Sequence, residues 1–199
     1  MILAGRAANV AGVPVVLDPV GVGSTVLRTD SARLILGQVS VAIVRGNAAE
    51  AATLAGQSAD IRGVESMGTT GDLGTLAGTA ARVLGCIVAV TGPVDAVSDG
   101  HTTTLRVANG HPMLATVSGT GCIASAISGC FAAVNPTQPL RAAVEALVRS
   151  ASPVRRLPST ARAQAVSTLP STTRSTRCRR TPSTEVLGRA QHERARRHQ

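Results

Sequence analysis

A chain of 199 residues is long enough for one α/β domain with its own core and short for two. Phe131 is the single aromatic residue, so Ala, Val, Leu, Ile and Gly must build the interior, and stacking platforms for nucleic-acid bases are excluded. The formal net charge is +9, yet residues 1–148 hold 8 Arg against 9 acidic residues while residues 149–199 hold 12 Arg against 2 Glu, so the whole positive excess lies in the C-terminal part. No apolar run reaches the length of a membrane span, and residues 1–12 lack the basic start and apolar block of a secretory leader, so the protein reads as soluble and cytoplasmic. Cys86, Cys122, Cys130 and Cys178 form no CxxC pair and lie near no His cluster, which points to free thiols rather than zinc or disulfides.

Strand and helix signals alternate along residues 1–148 in the manner of βα units. Residues 3–12 read as the end of a helix stopped at Gly12. Residues 14–19 (PVVLDP) form an apolar run that ends at an acid, which predicts a buried parallel strand with Asp18 at its carboxyl end. Thr29 or Asp30 is a candidate cap for a helix over 31–37, and residues 41–45 (VAIVR) are the next strand. Asn47 caps 48–55, Asp72 caps a helix running to Leu84, and residues 86–91 (CIVAVT) make another buried strand. Alternation around 95–107 with a turn at Asp99-Gly100 predicts an antiparallel hairpin at the sheet edge. The segment 119–122 (GTGC) precedes a helix with an apolar stripe of Ile123, Ala126, Ile127, Cys130, Phe131 and Val134, and a last helix is expected over 139–148.

Chemistry concentrates at VSGTGC, residues 117–122, where two glycines leave backbone amides open as a helix begins. Such amides, with the helix dipole, suit a phosphate oxygen, although the same turn also serves as a tight loop-to-helix junction. Asp18, the segment 45–50 and Thr91-Gly92 each place polar groups at the carboxyl end of an expected strand. In an open parallel sheet those ends converge on one crevice, where ligands bind.

The motifs LDPVGVGST, VRGNAAE, AVTGPVD, VSDG, NGHPML and VSGTGC occur in the order seen in hydroxyethylthiazole kinases, and over residues 1–148 the chain resembles that family. The resemblance implies an α/β fold of the ribokinase-like αβα sandwich type, assembled as a homotrimer. It implies transfer of the γ-phosphoryl of ATP to the primary alcohol of 4-methyl-5-(2-hydroxyethyl)thiazole, a salvage step towards thiamine, with Mg²⁺. Carried over position by position, Arg45 and Thr91 resemble the ATP-contacting pair, Gly119 the substrate-contacting glycine, and Asp18 and Glu50 the acids near the magnesium and phosphate centre. Taken alone, Asp18 is also a plausible turn cap and Glu50 a solvated helix residue. Thr120, Gly121 and Cys122 form the turn expected to carry catalysis. Many related kinases place an Asp where Cys122 stands, so Cys122 is either a thiolate that takes the hydroxyl proton or a small buried hydrophobe.

Family members begin upstream of the segment matching residues 2–12, so the resemblance also implies an incomplete sandwich that lacks early strands and part of the thiazole pocket. After Val148 the apolar helices of the family give way to a Ser/Pro/Thr/Arg-rich stretch, 149–199, expected to be a disordered basic tail, either a frameshift product or an arm binding nucleic acid nonspecifically through phosphates. Alternatives are another ribokinase-like enzyme, such as a hydroxymethylpyrimidine kinase or an ADP-dependent repair dehydratase, and an inactive fragment whose tail alone binds.

Overall fold

A strand covered on both faces must be apolar along its whole length, whereas one at a solvated edge alternates. The computed structural model, which describes residues 1–57, 72–111, 114 and 116–156, follows that rule. Its sheet has the order β1 (Val16–Leu17), β2 (Ile43–Asn47), β3 (Ile87–Thr91), β4 (Asp95–Ser98) and β5 (Thr104–Val107). β1, β2 and β3 are parallel, with Val16 opposite Ile43 and Asn47 opposite Thr91. The short link after Thr91 cannot carry the chain back across the sheet, so β4 and then β5 add antiparallel at the edge, as the hairpin pattern predicts.

Alternate residues of these strands build two cores. Leu17, Val44, Val88, Val90 and Ala96 pack against helices α2 (Val26–Gln38), α3 (Ala48–Leu54) and α4 (Leu73–Leu84). Ile43, Ile87, Ala89, Val97 and Val107 face the other way, towards α5 (Thr120–Val134) and α6 (Pro139–Arg156). The result is an αβα sandwich, with α1 (Ile2–Val10) tied to the loop after α2 by Asn9, whose amide side chain both donates to and accepts from the Ser40 backbone. Among the described residues no helix is long and apolar enough to cross a membrane.

Several boundaries differ from the sequence pattern for local reasons. β1 has two residues rather than six, because Pro14 and Pro19 carry no amide and the Val15 carbonyl is shared by the amides of Ala42 and Ile43. α2 begins at Val26, not near residue 31: Thr25 caps it by accepting from the Arg28 amide, while Thr29 instead donates to the Thr25 carbonyl and accepts from Gly23. Asn47 and Asp72 cap α3 and α4 as expected, Asn47 within a capping box closed by Glu50. α6 continues eight residues past Val148, since extending an established helix costs far less than starting one. Of the stretch expected to be a basic tail, 157–199 lies outside the described residues.

The expected stripe of α5 needs correction. The face turned to the sheet is Ala124, Ser128 and Ala132, all nearly inaccessible, whereas Ile123 and Val134 are 57% and 75% exposed and Cys130 is exposed. Small residues four apart bring the helix backbone close to the sheet; of the expected stripe, Phe131 packs against the core, whereas Ile123 and Val134 point outward.

Candidate functional site

The carboxyl ends of β1, β2 and β3 bring Asp18, Arg45 and Thr91 side by side. Arg45 Nη2 donates to Thr91 Oγ1 at 2.9 Å, and Thr91 Oγ1 in turn donates to the Gly46 carbonyl at 3.2 Å. Arg45 Nη1 lies 3.8 Å from Asp18 Oδ2, with the two side chains only 13% and 16% exposed. Arg45 Nε is buried without a hydrogen-bond partner among the described residues, a state that costs about 1–3 kcal/mol. The guanidinium is thus held in place while retaining donors that Asp18 and Thr91 do not satisfy. Asp95, half-buried beside this cation, accepts from the Gly92 amide at 2.9 Å; burial pushes its carboxyl above the usual range, against the pull of that amide and of Arg45.

The first turn of α5 closes the crevice from the other side. A side chain at Gly121 would place its Cβ 2.8 Å from Arg45 Nη1, so the helix backbone rests against the guanidinium. Gly119, the N-cap, has φ +90° and no side-chain cap, so among the described residues no side chain caps the opening amides of the helix, in a left-handed turn of the kind that makes an anion-binding nest. Among the described residues nothing stands within 4 Å of where a Gly119 side chain would begin. Thr120 pins the turn through its hydroxyl, which donates to the Leu114 carbonyl at 3.1 Å, so what it can offer a ligand is its amide. Cys122 is exposed in the same turn.

Glu50 is buried to 8% exposure, and its two oxygens accept from different backbone amides: Oε1 from Gly21 and Oε2 from Asn47, both at 2.9 Å. It therefore fastens the glycine loop after Asp18 to the junction of β2 and α3. Among the described residues no three His, Cys, Asp or Glu side chains gather in a way that would hold a metal by themselves. Sequence reasoning missed two members of the cluster. Ser125 donates to Asp18 Oδ2 at 2.7 Å, and its position four residues after Gly121, on the same helix face, is the signal that could have identified it. Asp95 follows Gly92 by three residues, the spacing at which a carboxylate turns back onto a backbone amide.

This geometry, with phosphate-type donors at strand ends facing an uncapped helix start, has counterparts among known proteins. The model of the Hydroxyethylthiazole kinase family matches residues 1–167. The chain belongs to that family. It is 54% identical over 133 residues to the hydroxyethylthiazole kinase of Rubrobacter xylanophilus, covering 67% of this chain and 49% of that protein. With the hydroxyethylthiazole kinase of Shouchella clausii it shares 49% identity over 147 residues, 74% of this chain and 56% of the relative. The structure of the hydroxyethylthiazole kinase protein from Pyrococcus horikoshii OT3 superimposes with a TM-score of 0.65 and 38% identity, covering 83% of this chain and 63% of that one. The chain thus spans about half the length of the curated hydroxyethylthiazole kinases it matches.

Proposed function

We propose that this chain carries the phosphoryl-transfer centre of a hydroxyethylthiazole kinase, moving the γ-phosphoryl of ATP to the primary alcohol of 4-methyl-5-(2-hydroxyethyl)thiazole in thiamine salvage. The observation that carries the reading is the Arg45 guanidinium, fixed by Thr91 and set against the uncapped start of α5. A planar cation and open amides on opposite sides of one gap suit the equatorial oxygens of a transferring phosphoryl group, whose reaction depends mainly on positioning and charge stabilisation.

In this reading Arg45 and Thr91 hold the ATP phosphates. The amides of Thr120, Gly121 and Cys122 receive the charge that develops on the phosphoryl group, and the open space beside Gly119 admits the thiazole ring. The alcohol oxygen forms the new bond to phosphorus as the bond to the ADP oxygen breaks, and the hydroxyl proton passes to Cys122, exposed in the same turn, or to water. The ion that ATP carries, Mg²⁺, would supply neutralisation of phosphate charge, with few protein ligands needed to hold it. Asp18 suits it as the protein ligand: Ser125 and Arg45 both approach Oδ2, which leaves Oδ1 for an ion. Glu50, with an amide on each oxygen, shapes the adjoining loop and would have its second lone pairs left to accept from water around such an ion. The exposed stripe of Ile123, Cys130 and Val134 on α5 supports association of copies of the chain, in line with a trimer.

The test is γ-phosphoryl transfer from labelled ATP to hydroxyethylthiazole by the full chain with Mg²⁺, alongside Arg45→Met. Transfer that falls at least about 100-fold in the variant supports the assignment, since removing one preorganised donor to the transferring group costs at least that order. Equal transfer in both would overturn it.

A further inference from the structure

Arg45 and Asp18 stand about 1 Å farther apart than a charge-assisted hydrogen bond between such groups, which closes near ~2.8 Å. Both side chains are largely shielded from water, where opposite charges attract strongly, so something must keep them from closing. The Asp18 oxygen nearest Arg45 is the same Oδ2 that accepts from Ser125 at 2.7 Å, the short distance of a hydroxyl bound to a carboxylate. Ser125 reaches it from α5, across 107 residues of sequence, on the helix whose first turn also rests on Arg45. We infer that Ser125 is a positioning residue: by occupying Asp18 Oδ2 it holds the carboxylate back from Arg45 and keeps the guanidinium fork open for an incoming phosphate oxygen. Without that hydroxyl, Asp18 turns onto Arg45 as a tight ion pair, and the cation is withdrawn from the ligand.

The inference rests on the reading of Arg45 as a phosphate-binding group, and its test separates the two. Ligand-free crystal structures of Ser125→Ala should show Arg45 Nη1 and Asp18 Oδ2 drawn together to about 2.8 Å. Calorimetric titration with ATP in EDTA, which removes any metal role of Asp18, should show affinity about tenfold weaker, equivalent to ~1.4 kcal/mol. Ser125→Thr should restore both the separation and the affinity, and the penalty of Ser125→Ala should vanish on an Asp18→Asn background, because the serine acts through that carboxylate. Ser125→Cys keeps the volume with a weaker donor and should shift both readouts in the same direction if the alanine variant packs poorly. An unchanged Arg45–Asp18 separation in the Ala and Cys variants, or an equal penalty with and without the Asp18 carboxylate, overturns the role. Contraction of the pair in a chain whose wild type binds no ATP leaves the spacing role standing and overturns the kinase reading instead.

Discussion

Replacing Gly121 by Ala separates the fit of the site from the stability of the fold. The added Cβ would stand 2.8 Å from Arg45 Nη1, roughly 0.7 Å inside ordinary van der Waals contact. The guanidinium is the end of a side chain and can yield, but a shift of that size strains its 2.9 Å bond to Thr91, since a hydrogen bond weakens steeply beyond about 3.2 Å. A hydrogen bond made by a charged group contributes about 1.5–3 kcal/mol, so displacing the fork should weaken ATP binding on the order of 10- to 100-fold. Stability should change less than binding, since weakening of the Arg45–Thr91 bond is offset in part by the preference for Ala over Gly, up to ~1 kcal/mol, at a position with an ordinary helical backbone. Isothermal calorimetry with ATP, paired with thermal denaturation followed by circular dichroism, reads the two effects separately. Wild-type affinity in Gly121→Ala would refute the argument, because it would mean that contact between the helix start and Arg45 does not set the position of the cation.

Other side chains give independent checks. Glu50→Gln leaves either the Gly21 or the Asn47 amide facing an NH₂ group, and should lower the urea-unfolding free energy by about 1–3 kcal/mol; an unchanged midpoint would show that the carboxylate does not hold the glycine loop. Burial pushes the Cys86 thiol up to about 11, so iodoacetamide at pH 8 should modify the exposed Cys122 and Cys130 well before Cys86, which mass spectrometry of the peptides would show. Because the Asp95 carboxyl is raised, chiefly by burial, the folded state binds more protons than the unfolded one just above the usual carboxylate range, and stability is lost as pH rises through that window. Asp95→Asn, which keeps an acceptor for the Gly92 amide, should therefore raise Tm at pH 7 and lose that advantage below pH ~3.8; a lower Tm at neutral pH would mean that attraction to Arg45 outweighs burial.

The strand ends were legible because parallel strands buried on both faces leave apolar runs, and the first polar residue after each run marks the crevice. Asp18, Arg45 and Thr91 were found in this way, and Gly121 through the glycine pair at a helix start. Periodicity located α5 and put Phe131 against the core, but it also drew in Ile123, Cys130 and Val134, which are exposed. A helix with Ile and Val on one face and Ala and Ser on the other has two candidate inner faces, and the decision belongs to how closely the backbone must approach the sheet. Ser125 lies on that inner side, and its partner is 107 residues away, so no local pattern could pair it with Asp18. Glu50 was visible as a conspicuous acid after Asn47. Its attachment to Gly21 depends on the path of a loop that only the packed sheet determines.

The arrangement also decides how much chemistry to ask of Cys122. An alcohol attacking a phosphoryl group through a loose transition state need not lose its proton early, so a proton acceptor there falls at the lower end of the usual ~10²–10⁴-fold contribution. Arg45 lies deeper, partly shielded from water, where a cation acts on developing charge with far less screening than at the surface, and it is pinned by Thr91 and by the start of α5. The exposed thiol has no such fixing, since neither a buried environment nor a capping bond constrains it. A rigid cation in a dry crevice stabilises charge without reorganising during the reaction, whereas an exposed thiol must be brought into line each time. In the proposed transfer, Arg45 and the groups that position it therefore carry more of the rate than Cys122.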